Sequence, residues 1–343
     1  LGIKVDTSPK VISDFLLKRS NKKKIVITTY QSGEVLAKAV KKAKVVFDLG
    51  VYDEAHKTVG SKDKRFAHLL YEKNVPVKKR IFMTATERQF KGNSDEYTSM
   101  DDESIYGALI DQLSFKQAIG QRLPILSDYK IVSAVITKSE IMDLIKNNKF
   151  IKAKGKRYSF KSDATSLAGL IALRKVIKDK NLKHAVSFHS SIKRARDFQD
   201  LNNQANEYVK QFDHIDTFHV TGKDGTGKRK AELDRFTDSK CSLVTNARCL
   251  TEGVDVPSID TVLFADPKQS TIDIVQAAGR ALRKSQGKKF GYIVVPVVID
   301  EKDTKAVDSV FDQIIRVIGA MGQNDERIIE EFREVANGVR KDD

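Results

Sequence analysis

Short apolar runs alternate along this chain with longer stretches in which apolar residues recur every three or four positions. The first pattern marks buried strands, the second amphipathic helices. In the first part, residues 25–29, 45–52, 80–83 and 129–136 read as strands. Helices are expected at 11–18, from about Gly33 to Val40, near 65–71 and at 115–121. Residues 57–64 read as a polar loop and 89–103 as a turn-rich surface excursion. In the second part, strands are expected at 184–188, 215–220, 242–245, 261–265 and 292–298, and helices at 167–178, 192–209, 228–236 and 271–282. The tail carries helical spacing at Val307, Val310, Phe311, Ile314, Ile315 and Ile318, then a further helix around 326–335. Strands alternating with helices point to parallel, doubly wound α/β sheets. The two halves repeat one element order, and the lysine-rich stretch 137–160 is the expected boundary. Residues 129–136 then become the last strand of the first domain.

Composition narrows this picture. With 343 residues, the chain has room for roughly two domains of about 150 residues each. No apolar run approaches the ~20 residues of a membrane helix, and no signal peptide is expected. Cys241 and Cys249 cannot build a disulfide framework, so a reducing, cytoplasmic setting is expected. The net charge of +15, from 61 basic and 46 acidic residues, favours a polyanionic partner.

Candidate chemistry sits at strand ends, where open α/β sheets bind ligands. Asp53 and Glu54 follow the run 45–52, which reads as a buried strand. An aspartate there can hold magnesium on a nucleotide, and a neighbouring glutamate can orient and deprotonate water. Taken alone, the same residues also describe a solvated acidic turn. Arg280 and Arg283 lie three apart on an expected helix, so they share one face and can reach one anion. Gly279 would admit a close backbone. Thr245 opens a loop with Gly253 and Pro257, suited to phosphate contacts.

In order, Asp53-Glu54-Ala55-His56, Thr84-Ala85-Thr86, Thr245 with Glu252-Gly253-Val254-Asp255-Val256-Pro257, and Gln276-Ala277-Ala278-Gly279-Arg280-Ala281-Leu282-Arg283 resemble motifs II, III, V and VI of superfamily-two helicases. The chain resembles most the bacterial and phage DEAH-box type with helicase-associated C-terminal helices. The resemblance implies two tandem RecA-like domains, 1–137 and 138–300, the first incomplete, with a helical extension at 301–343. It implies ATP and magnesium as cofactors, held by Asp53, His56, Gly253, Asp255 and Gln276. Glu54 would activate water, while Arg280 and Arg283 would stabilise the transferring phosphate. Thr84 and Thr86 would couple nucleotide state to nucleic-acid binding. Thr28, Thr29, Gln31, His189, Thr221, Gly222 and Thr245 would touch the nucleic-acid backbone. The implied partner is DNA ahead of RNA, within a restriction-type system carrying nuclease or methyltransferase domains or subunits.

Two departures stand out. The run 222–228 imitates a phosphate-binding loop, but Arg229 replaces the required Ser or Thr, so a turn entering a helix is expected. Nothing before Asp53 matches G-x-x-x-x-G-K-[ST]. The chain is therefore expected to be a fragment beginning beyond that loop, with little ATPase by itself. The alternative is a non-catalytic nucleic-acid-binding or scaffold module that has lost the loop.

Overall fold

The computed structural model describes residues 5–61, 65–90, 97–147, 160–209, 212–247, 256, 258–265, 271–299 and 307–330. The chain divides into two units, residues 1–112 and 113–343.

In the first unit, α1 (Pro9–Leu17) packs on α2 (Gly33–Ala43). β1 (Phe47–Tyr52), β2 (Gly60–Ser61), β3 (Val77–Phe82), β4 (Tyr97–Thr98) and a short α3 (Glu103–Tyr106) follow. β1 and β3 pair in parallel, while β2 and β4 pair antiparallel. The core gathers Leu36, Val40, Tyr52, Leu69, Val75 and Val77. Three expectations are corrected. Residues 25–29 form no strand, because a β-branched run becomes one only with a ladder partner; Ile25 and Ile27 are 79% and 83% exposed. β1 is not a buried strand: Leu49 and Val51 face outward at 53% and 56% exposure, since its sheet is only two strands wide. The 57–64 loop contains β2, and residues 65–70 wind as a 3-10 rather than an α-helix.

The second unit opens with α4 (Phe115–Gly120), β5 (Asp128–Thr137), α5 (Lys138–Asn147), α6 (Phe160–Lys180), β6 (His184–Phe188) and α7 (Ile192–Tyr208). It continues through β7 (Asp216–Val220), α8 (Thr226–Asp238), β8 (Ser242–Asn246), β9 (Thr261–Phe264), α9 (Thr271–Ala281), β10 (Phe290–Ile299) and α10 (Val307–Gly322). Six strands form one all-parallel sheet in the order β5-β10-β9-β6-β8-β7. Side chains alternate across it. Val186, Phe188, Val262, Phe264, Ile293 and Val295 meet α8, α9 and α10 on one face. Ala185, Leu243, Leu263 and Val294 meet α6 and α7 on the other. This is a parallel sheet buried on both faces, so its strands read as continuous apolar runs.

β5 corrects the expected division at 137. It belongs to the second unit, pairing with β10 over its whole length, from Asp128–Phe290 to Thr137–Ile299. The expected C-terminal extension is helical, and α10 sends Val317, Ala320 and Met321 into the second unit's core. The expected helix at 326–335 is seen for residues 326–330; its remainder lies outside the described residues.

Candidate functional site

In the first unit, β1 delivers the acidic pair. Met83 N–H donates to the Tyr52 carbonyl and Ala55 N–H to the Met83 carbonyl, so the segments after β1 and β3 leave the sheet together. The Asp53 carboxylate accepts the Glu54 N–H at 2.9 Å. Glu54 takes the left-handed conformation, φ 51° and ψ 45°, which costs a residue with a Cβ about 1–2 kcal/mol. A 3-10 turn, Ala55–Thr58, follows and buries His56.

His56 joins the two expected motifs of this unit. Its Nδ1 lies 2.9 Å from Thr84 Oγ1 and 3.2 Å from a Glu54 carboxylate oxygen. Thr84 Oγ1 donates its proton to the Thr86 carbonyl at 2.9 Å, and accepts the Thr86 N–H at 3.2 Å. Thr84 therefore accepts from His56, which fixes the Nδ1–H tautomer. The acidic strand end and the Thr84–Thr86 turn are one hydrogen-bonded unit. Thr86 Oγ1 is buried with no hydrogen-bond partner among the described residues.

Thr28, Thr29 and Gln31 are exposed. The Thr29 hydroxyl donates to Ser32 Oγ at 3.2 Å. Between them Tyr30 turns inward, a residue that the sequence patterns did not single out. Its hydroxyl donates to the Asp53 carbonyl at 2.7 Å. Burial first, and the Asp53 carboxylate second, hold the phenol above its ordinary pKa, so it stays a donor.

In the second unit, Thr221, Gly222, His189 and Thr245 lie at the carboxyl ends of β7, β6 and β8. Thr245 is fully buried; its Oγ1 lies 2.8 Å from His219 Nδ1 and donates to the Phe218 carbonyl at 3.4 Å. His219 thus holds Thr245, and burial followed by Arg196 lowers the histidine's pKa. His189 is 5% exposed, with Nε2 2.9 Å from Ser187 Oγ and its ring beside Phe198. Thr221 is also buried: its N–H and hydroxyl both donate to the Asp224 carboxylate. Those bonds and Lys228, 3.2 Å away, hold the Asp224 carboxyl below its usual range. Gly222 is exposed. The 222–228 run is thus a turn folded on Asp224 that enters α8 at Thr226, as expected. Gly253 and Asp255 lie outside the described residues.

Gln276 and Arg280 lie on α9, and Arg280 is 8% exposed. The shared helical face is corrected: α9 ends at Ala281, so Arg283 lies beyond it. Arg283 bridges Leu126, and Lys288 Nζ captures its carbonyl at 2.5 Å while also donating to the Ile259 carbonyl at 2.7 Å. These contacts draw the chain out of the helix. Burial lowers Lys288 to about 8. Among the described residues nothing lies within 4 Å of where a Gly279 Cβ would stand, so the expected close approach is not seen there. It occurs at Gly291, where a Cβ would run into the Ala281 carbonyl oxygen.

Residues 169–285 match the family model of the helicase conserved C-terminal domain. A probable helicase of African swine fever virus is 25% identical over 334 residues, covering 96% of this chain and 34% of the viral protein. The chain thus spans about a third of that relative. Among solved structures, the ATP-dependent Type ISP restriction-modification enzyme LlaBIII bound to DNA is 28% identical, with a TM-score of 0.67. That match covers 88% of this chain and 22% of LlaBIII. A nuclease-deletion mutant of the Type ISP enzyme LlaGI, in complex with a DNA substrate mimic, is 27% identical with a TM-score of 0.56. It covers 94% of this chain and 21% of the mutant.

Proposed function

We propose that this chain, which is of superfamily-two helicase type, is the core of an ATP-driven translocase that moves along DNA as part of a longer protein. The observation that carries the reading is the His56–Thr84 link, which makes the acidic pair and the Thr84–Thr86 turn one hydrogen-bonded unit. A motor needs such a joint, because hydrolysis does work only if nucleotide state reaches the track-binding surface.

The acidic pair fits a magnesium ion held mainly by a nucleotide. Among the described residues, no three His, Cys, Asp or Glu side chains gather into a metal cage. Magnesium normally rests on one or two carboxylates plus the substrate's phosphates, and the exposed Asp53 carboxylate suits that role. Magnesium would offset phosphate charge there. Glu54 would orient and deprotonate the attacking water, and Arg280 and Arg283 would balance charge on the transferring phosphate. Gln276 would contact the nucleotide. Thr28, Thr29, Gln31 and Gly222 offer exposed backbone or side-chain groups to a strand. His189, Thr221 and Thr245, being buried, would shape that surface through their partners. DNA as the track is supported by what LlaBIII and LlaGI hold in their structures.

The test is hydrolysis by the full-length protein with and without duplex DNA. Glu54→Gln is expected to lower kcat by at least about a hundredfold, the scale of a lost general base, while DNA binding persists. The 343-residue chain itself should bind DNA, weaken steeply with salt, and hydrolyse little ATP. The second reading is a non-catalytic DNA-binding scaffold. A full-length protein that binds DNA yet hydrolyses nothing would establish that reading instead.

A further inference from the structure

We infer that the Tyr30 hydroxyl is the positioning group that sets Glu54, and that through it the segment Thr28–Gln31 controls the acidic pair. The inference rests on the motor reading and deepens it.

The geometry concerns one peptide unit. The bond between Asp53 and Glu54 has its carbonyl held by Tyr30 Oη at 2.7 Å and its N–H held by the Asp53 carboxylate at 2.9 Å. Both ends of that peptide plane are pinned. The next rotation along the chain is φ of Glu54, the left-handed value of 51°. A residue with a Cβ leaves that conformation unless its surroundings hold it. The pinned plane supplies the hold, and it aims the Glu54 side chain, whose carboxylate lies 3.2 Å from His56 Nδ1.

The other end of the link is equally defined. Tyr30 opens a 3-10 turn, Tyr30–Ser32, that runs into α2. Its flanking residues Thr28, Thr29 and Gln31 are exposed, while its own ring lies half-buried near Phe66, at 6.1 Å between centroids. A strand gripping Thr29 and Gln31 therefore bears on a turn whose Tyr30 side chain ends on the Asp53–Glu54 peptide. An isolated acidic turn has no reason to be tied to a residue 23 positions earlier.

Tyr30→Phe removes one oxygen and keeps the ring. In the full-length protein, the DNA-stimulated kcat should fall about tenfold, within the range of ordinary coupling energies. KM for ATP and the affinity for DNA should stay within about twofold of wild type, because neither contact surface changes. A stimulated kcat equal to that of wild type overturns the inference. So does a joint collapse of kcat, KM, DNA affinity and thermal midpoint, which would mark the hydroxyl as merely structural. Glu54→Gln is the control that separates the two levels. If it leaves hydrolysis intact, or if the wild type hydrolyses nothing, the motor reading fails and this inference falls with it. If Glu54→Gln abolishes hydrolysis while Tyr30→Phe changes nothing, only the Tyr30 link is wrong.

Discussion

At the scale of single residues, hydroxyl groups set the direction of the site. The His56 ring is 5% exposed, and Thr84 accepts its Nδ1 proton because Thr84's own proton is committed to the Thr86 carbonyl. Thr84→Val keeps the side-chain shape and removes that acceptor. The expected loss is about 1–2 kcal/mol, the cost of a buried donor with a weakened partner set, read by urea denaturation. Thr84→Ser should recover most of it. Equal stability of the Val variant and wild type would show that Glu54 alone suffices for His56. That the acidic pair, His56 and the two threonines belong together was legible through the order of motifs the family resemblance names, and the structure brings them into one hydrogen-bonded group. Tyr30 and His219 were not legible, since each acts through a hydrogen bond to a residue remote in sequence, and neither residue type nor spacing marks such a bond.

At the scale of elements, pairing and helix ends account for what the pattern missed. The strands of the second unit were legible because full burial leaves uninterrupted apolar runs such as Leu243-Val244 and Ile293-Val294-Val295. Residues 25–29 carry the same β-branched signature but pair with no strand among the described residues. The end of α9 is set from outside, by Leu126, by the Ala281–Gly291 approach and by Lys288. That lysine gives a pH prediction. Its pKa is depressed by burial from 10.5 to about 8, against the opposing pull of Asp260, the acidic group that faces it. Between those values the unfolded chain binds a proton that the folded chain does not. Stability therefore rises with pH through this window. Lys288→Met removes the titration. Plotted from pH 8 to 10, the unfolding free energy of wild type should climb relative to the variant, and parallel curves would refute the assignment. Below pH 8 the two should run parallel.

At the scale of the whole molecule, the question is where one unit stops and the next starts. The lysine-rich stretch suggested 137, but physical pairing places β5 with the sheet that follows it. Further ties bind this region to the end of the chain, the Lys116–Glu330 ion pair among them. Phe115 N–H donates to the Asn324 carbonyl, Tyr129 Oη donates to the buried Asp325 carboxylate, and Arg327 reaches both Asp325 and Asp128. A sequence read from left to right cannot show that residues 113–129 and 324–327 are partners, because no local pattern records contacts across 200 positions. Two fragments decide the matter. Residues 113–343 retain all six strands and should unfold in one cooperative transition by circular dichroism and by hydrogen exchange. Residues 138–343 lose β5, which uncovers the edge of β10 and strips Tyr129 from Asp325. The loss is expected to rival the ~5–15 kcal/mol that holds a typical domain together, so this shorter fragment should show no cooperative transition and should aggregate through its open edge. Matching transitions in the two fragments would return β5 to the first unit and overturn the division described above.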